Sequence, residues 1–186
     1  MIIRLDPKNP EAYFNRGKLY SQLNQRKRAI TDFDEAIRLQ PNSIKPYHER
    51  GLCYFSRGGY QNALADFSKS IELNPRYGGS IFYRAITYGH LNQPNQALED
   101  FKHAINLDAN RVENYEHRGK LYRKMGKFDK AIEDFDRAIA LEPTNFLYFV
   151  FRAGAYIAGG GKPETYQPDL IRAIDLTKKP LAKQYI

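Results

Sequence analysis

Four stretches of the chain, residues 10–43, 44–77, 78–111 and 112–145, align with no gap, and each is 34 residues long. A sequence that returns to the same pattern at this period builds its structure one small unit at a time. The fold then depends on how a unit packs on its neighbour.

Counted from the start of each unit, position 4 is Tyr13, Tyr47, Ile81 and Tyr115, position 8 is Gly17, Gly51, Ala85 and Gly119, and position 11 is Tyr20, Tyr54, Tyr88 and Tyr122. Spacings of four and three place these residues on one face of a helix. A second helical set follows at position 20 (Ala29, Ala63, Ala97, Ala131), position 24 (Phe33, Phe67, Phe101, Phe135) and position 27 (Ala36, Ser70, Ala104, Ala138). Between the two sets, position 15 is Asn24, Gly58, Asn92 and Gly126, residue types that readily enter the left-handed conformation ending a helix. Leu39, Leu73, Leu107 and Leu141 close the units, followed two residues later by Pro41, Pro75, Ala109 and Pro143. Each unit therefore reads as helix A, tight turn, helix B and stop. Small residues at 8 and 20 let the helix axes approach, and the rings at 4, 11 and 24 fill the space beside them.

With these residues in phase, the chain resembles the tetratricopeptide repeat family over residues 10–145. The resemblance implies an all-α fold, a right-handed α-solenoid of antiparallel helix-turn-helix repeats. Residues 1–9 read as the end of a preceding helix B, because Ile2-Ile3-Arg4-Leu5-Asp6-Pro7 matches Ala36-Ile37-Arg38-Leu39-Gln40-Pro41. Residues 146–179 form a fifth, degenerate repeat with Phe149, Arg152, Ala153 and Tyr156 at positions 4, 7, 8 and 11 and one inserted residue before Ala173. Pro168 is expected to limit how far its helix B runs upstream. Residues 180–186 are left as a tail or cap.

Chemistry-bearing residues are sparse. The four histidines, His48, His90, His103 and His117, make no H-x-x-x-H pattern, and the single Cys53 offers no C-x-x-C zinc site. Gly159-Gly160-Gly161-Lys162 lacks P-loop spacing and falls where the repeat requires a turn. The chain is therefore read as neither an enzyme nor a cofactor protein. Cys53 without a disulfide partner points to the cytoplasm, and no apolar run reaches transmembrane length. The net charge of +8 raises single-stranded RNA as an alternative ligand. Its spread argues against that, since residues 78–111 carry three basic and three acidic residues and residues 112–145 seven of each.

The resemblance implies that a partner peptide or helix is bound on a concave wall made by the A helices, through positions 2, 5, 6, 9, 12 and 13. The candidates are Phe14 and Lys18 in the first repeat, His48, Leu52 and Phe55 in the second, and Phe82, Tyr83 and Ile86 in the third. His117, Lys120, Arg123 and Lys124 follow in the fourth and Phe151 in the fifth. One subset of the family clamps a peptide carboxylate with Lys and Asn residues. Here those positions hold Phe14, Lys18, Glu49, Gly79 and Tyr83, or one repeat later His48, Leu52, Tyr83, Glu113 and His117, so that clamp is not expected. An alternative role is homo-oligomerisation through residues 146–158, where Phe146-Leu147-Tyr148-Phe149-Val150-Phe151 is apolar on every side.

One further pattern runs through all five repeats. Position 7 is Arg16, Arg50, Arg84, Arg118 and Arg152, and position 23 is Asp32, Asp66, Asp100, Asp134 and, after the insertion, Asp169. The expectation is a partly buried Arg–Asp bridge in each repeat, with the guanidinium lying on aromatic rings.

Overall fold

The computed structural model describes residues 7–178, and the chain divides into two compact units, Met1–His103 and Ala104–Ile186. The readings of residues 2–6 as a helix end and of 180–186 as a tail or cap lie outside the described residues.

Ten helices are found among the described residues. In chain order they are α1 (Pro10–Gln22), α2 (Arg26–Leu39), α3 (Ile44–Phe55), α4 (Tyr60–Leu73), α5 (Gly78–His90), α6 (Pro94–Leu107), α7 (Val112–Lys124), α8 (Phe128–Leu141), α9 (Phe146–Ala158) and α10 (Pro163–Lys178). Odd-numbered helices are the A helices and even-numbered ones the B helices. At α1 the Asn9 side chain accepts from the Ala12 N–H at 3.1 Å and Pro10 takes the first turn, where no backbone donor is needed.

The turn between helices has one geometry throughout. Asn24, Gly58, Asn92, Gly126 and Gly160 all occupy position 15 with φ of 61°, 75°, 56°, 72° and 79°. The following N–H donates back to the carbonyl of position 11, from Gln25 to Tyr20 at 2.8 Å and from Gly161 to Tyr156 at 2.8 Å, with the other three at 2.9 Å. This left-handed closure satisfies carbonyls that the helix end leaves free. The fifth repeat keeps it, so its degeneracy lies beyond the turn. There α10 runs through Pro168 without a break, against the expectation that proline would hold its start downstream. Pro168 sits in the second turn, where losing a single amide donor is tolerated because the helix continues for ten more residues.

The phenylalanine at position 24 is the centre of each joint described. Phe33, Phe67 and Phe135 have no solvent exposure. A Cβ added at Gly17 or Gly51 would stand 2.7 Å from the ring of Phe33 or Phe67, and at Gly119 2.9 Å from Phe135. Glycine at position 8 thus serves close approach of the A helix to a ring on its own B helix. From the next repeat a second ring closes over the same phenylalanine, with Tyr83 stacked on Phe67 at 5.9 Å and Phe151 tilted against Phe135 at 5.7 Å. Position 4 tyrosines tie down the loop before them: Tyr47 donates to the Pro41 carbonyl and Tyr115 to the Ala109 carbonyl, each at 3.1 Å.

Cys53 is 1% exposed and its thiol is pushed up by burial, with Ser21 Oγ at 3.6 Å. A thiol-specific disulfide reagent should therefore modify the native chain at least about a hundredfold more slowly than the urea-unfolded chain, because reaction waits on opening. Equal rates in both states would show that Cys53 is not enclosed.

Candidate functional site

Position 5 was expected to face a partner, and in the first three repeats it does not. Phe14, His48 and Phe82 are 7%, 8% and 5% exposed. Each packs on the phenylalanine of its own repeat, with centroid distances of 6.0 Å to Phe33, 5.9 Å to Phe67 and 6.2 Å to Phe101. The cause is helical geometry: position 5 lies three residues before the close-contact position 8 and so shares its inward face. His48 is held further by Ser80, whose Oγ lies 2.9 Å from Nδ1 and 2.7 Å from Ser70 Oγ, a buried polar chain between neighbouring repeats. In the fourth repeat Asn114 takes the position of Ser80, and both side-chain amide atoms are buried without a hydrogen-bond partner.

The candidates at positions 6, 9, 12 and 13 form a more open surface. In the first unit, α1 presents exposed Lys18, whose Nζ lies 5.8 Å from the Phe14 ring. Half-buried Leu52 and Phe55 on α3 and Tyr83 and Ile86 on α5 complete an apolar face. Phe55 is the hub, edge-on to Tyr60 at 5.6 Å, to Tyr83 at 5.9 Å and to His90 at 5.4 Å, while Tyr60 and His90 stack at 4.4 Å. Glu49 stands beside this face, and burial raises its carboxyl above the usual range although Lys18 opposes the shift.

In the second unit the same positions on α7 hold His117, Lys120, Arg123 and Lys124. Lys120 donates to Glu116 at 2.5 Å and lies 4.2 Å from the Phe151 ring. Burial lowers the His117 imidazole below its ordinary value. Arg123 and Lys124 are exposed, and the Arg123 guanidinium crosses Gly154, where a Cβ would stand only 2.9 Å from Nη1. Beside them α9 exposes Leu147, Val150 and Ile157 at 42%, 39% and 50%.

The Arg and Asp residues of positions 7 and 23 meet in every repeat. Arg16, Arg50, Arg84, Arg118 and Arg152 each place Nε and Nη2 on the two oxygens of Asp32, Asp66, Asp100, Asp134 and Asp169, at 2.5–2.9 Å. The aspartates are buried. Each arginine also lies over at least one ring at position 4 or 11, Arg118 5.9 Å from both Tyr115 and Tyr122. Sequence reasoning missed a third member. Arg50 Nη1 donates to Asp34 at 2.5 Å and Arg152 Nη1 to Asp136, so position 25 of one repeat reaches the arginine of the next. The signal was faint, because Ser68 and Lys102 interrupt the aspartates at that position.

Among the described residues there is no cluster of three or more His, Cys, Asp or Glu side chains able to hold a metal ion, and no helix long and apolar enough to cross a membrane.

Two family models, each described as the tetratricopeptide repeat, match the chain, one at residues 10–43 and 114–145 and the other at 44–77 and 84–111. No curated protein matches it. Among solved structures it is similar to YrrB, a TPR protein described as having an unusual peptide-binding site, at 23% identity and a TM-score of 0.80, with 94% of this chain and 90% of that chain covered. It is similar to the MamA protein at 19% identity and a TM-score of 0.86, covering 95% and 96%. A tetratricopeptide repeat protein from Parabacteroides merdae matches at 21% identity and a TM-score of 0.78, covering 96% of this chain and 70% of that one. These likenesses carry the fold, an all-α repeat solenoid of paired helices.

Proposed function

The chain belongs to the tetratricopeptide repeat family, and from that premise we propose that it is an interaction scaffold holding an extended peptide or a helix of a partner protein against its A helices. The observation that carries this reading is the apolar face of Leu52, Phe55, Tyr83 and Ile86, left half-open where the equivalent inward positions are closed. Such a face anchors apolar side chains, and Lys18 at its edge suits an acidic neighbour on the peptide. YrrB, similar in fold, is described as binding a peptide, which supports the class of ligand and leaves its sequence open. A cytoplasmic location belongs to the same proposal.

The test is a peptide selected for binding from a displayed library. Ile86→Asp and Leu52→Asp should each weaken it at least about tenfold, since a charge in an apolar contact is costly, while circular dichroism stays unchanged. Unaltered affinity in both variants would reject this face.

A second reading rests on α9. Phe146, Leu147, Val150 and Ile157 are 40%, 42%, 39% and 50% exposed on one helix, a surface that suits self-association through residues 146–158. A monomeric mass by sedimentation from micromolar to near-millimolar concentration would reject it.

A further inference from the structure

The repeats act as internal templates for one another: the second and fifth give the arginine of position 7 a second carboxylate, the fourth has Lys102 where that carboxylate would come from, and the third has Ser68. In the second and fifth repeats the arginine of position 7 uses all three of its forward donors. Nε and Nη2 hold the aspartate of position 23, and Nη1 holds a second carboxylate, Asp34 for Arg50 and Asp136 for Arg152. In the third repeat Arg84 makes the same pair with Asp100 at 2.7 and 2.8 Å. Among the described residues its Nη1 meets only the hydroxyl of Ser68, at 3.5 Å. Serine is shorter than aspartate and uncharged, so the contact is at the limit of a hydrogen bond.

Arg84 also lines an open hollow of about 470 Å³, together with Tyr88, Asn95, Gln96, Leu98, Glu99 and the paired Asp100. At 100° per residue, Arg84 and Tyr88 lie on the side of α5 turned away from Tyr83, Ile86 and His90. The hollow is therefore separate from the proposed peptide face.

We propose that Arg84 is a carboxylate-binding position filled by an aspartate or glutamate side chain of a partner protein. The template defines the chemistry, since at both filled positions the occupant of Nη1 is an aspartate carried on an adjacent helix. Those aspartates are 51% and 49% exposed, so the occupant does not have to be deeply buried to make the bond. Glu99 at the rim disfavours a bare anion. A side chain on a polypeptide meets that demand, because backbone N–H groups beside the carboxylate can face Glu99 while the amides of Asn95 and Gln96 offer further polar contacts.

The test uses the full chain labelled in its arginine side chains, with the guanidinium Nε–H signals followed by NMR. The probe is aspartate capped as N-acetyl aspartate N-methylamide, and the capped asparagine at constant ionic strength is the control. The Arg84 signal should shift saturably with capped aspartate and remain still with capped asparagine, while Arg50 and Arg152 do not respond. Ser68→Asp gives Arg84 Nη1 the template carboxylate and should weaken the response at least about tenfold. In the reverse direction, Asp34→Ser should make Arg50 responsive, an arm that decides the matter even if Ser68→Asp disturbs folding. Ile86→Asp should leave the Arg84 response intact, so failure of the peptide face and failure of this site are read separately. An unmoved Arg84 signal, an equal response from Arg50 in the unaltered chain, or a silent Arg50 in Asp34→Ser overturns the proposal.

Discussion

Phe135→Ala is expected to cost about 3–5 kcal/mol, the range for removing a fully enclosed ring. Phe135 has no exposed surface, and it is enclosed by Ala131, Ala155 and Phe151 and by the backbone of α7 at Gly119. The alanines and the glycine have no side chain that could swing into the space, since they are small so that the helices can approach, and Phe151 is a stiff ring that does not fill it. Collapse would require the helices themselves to move. Leu19→Ala, at a leucine 59% exposed, should cost less than about 1 kcal/mol. Urea unfolding followed by circular dichroism measures both. Repeat arrays can lose cooperativity when one unit is weakened, so the Phe135→Ala transition is expected to broaden as well as shift. Similar small costs for the two variants would show that position 24 is not the centre of the joint.

Arg118→Ala should cost about 2–3 kcal/mol, because it strands Asp134, 2% exposed, with neither of its bonds at 2.7 and 2.9 Å. The loss should depend on pH in a stated direction. Burial already lifts the Asp134 carboxyl above the usual carboxylate range, with Arg118 pulling the other way, and removing the guanidinium lifts it further. A carboxyl whose folded pKa exceeds its unfolded value penalises folding fully above the folded pKa, and the penalty fades as pH falls toward the unfolded pKa. The cost of Arg118→Ala should therefore be larger near about pH 7 than near about pH 4. A double-mutant cycle with Asp134→Ala should return a coupling of at least about 1 kcal/mol at neutral pH. Coupling near zero would make the recurrent pair a relic of repeat duplication without energetic weight.

What could be read from the sequence was whatever the repeat made periodic. The boundaries of helices A and B follow from position 15 and from the leucines at position 30, and even Gly160 in the degenerate repeat obeys the turn rule. The Arg–Asp pairing was legible because both partners recur in all five units. The surface was less legible, since exposure depends on neighbours that differ between repeats. His48 reads as a groove residue by position, but Ser80, Tyr77 and Phe67 enclose it, and no local pattern announces that three such residues converge. Position 5 of the first three repeats turns inward for a simpler reason, its three-residue offset from the small residue at position 8, whereas Val150 at position 5 of the fifth repeat stays 39% exposed. The aspartates at position 25 were passed over because only two of the five repeats hold them.

The reading of this chain as a peptide-binding scaffold is tested most directly by mapping where a selected peptide touches it. Methyl-labelled Leu and Ile side chains give probes on both sides of each repeat: Leu52 and Ile86 on the A-helix face, and Ile37 and Ile71 on the B helices. On saturation with peptide, the methyl signals of Leu52 and Ile86 should shift together along one binding isotherm while those of Ile37 and Ile71 stay in place. Shifts confined to Ile37 and Ile71, with Leu52 and Ile86 unmoved at saturation, would contradict the assignment of partner binding to the A helices.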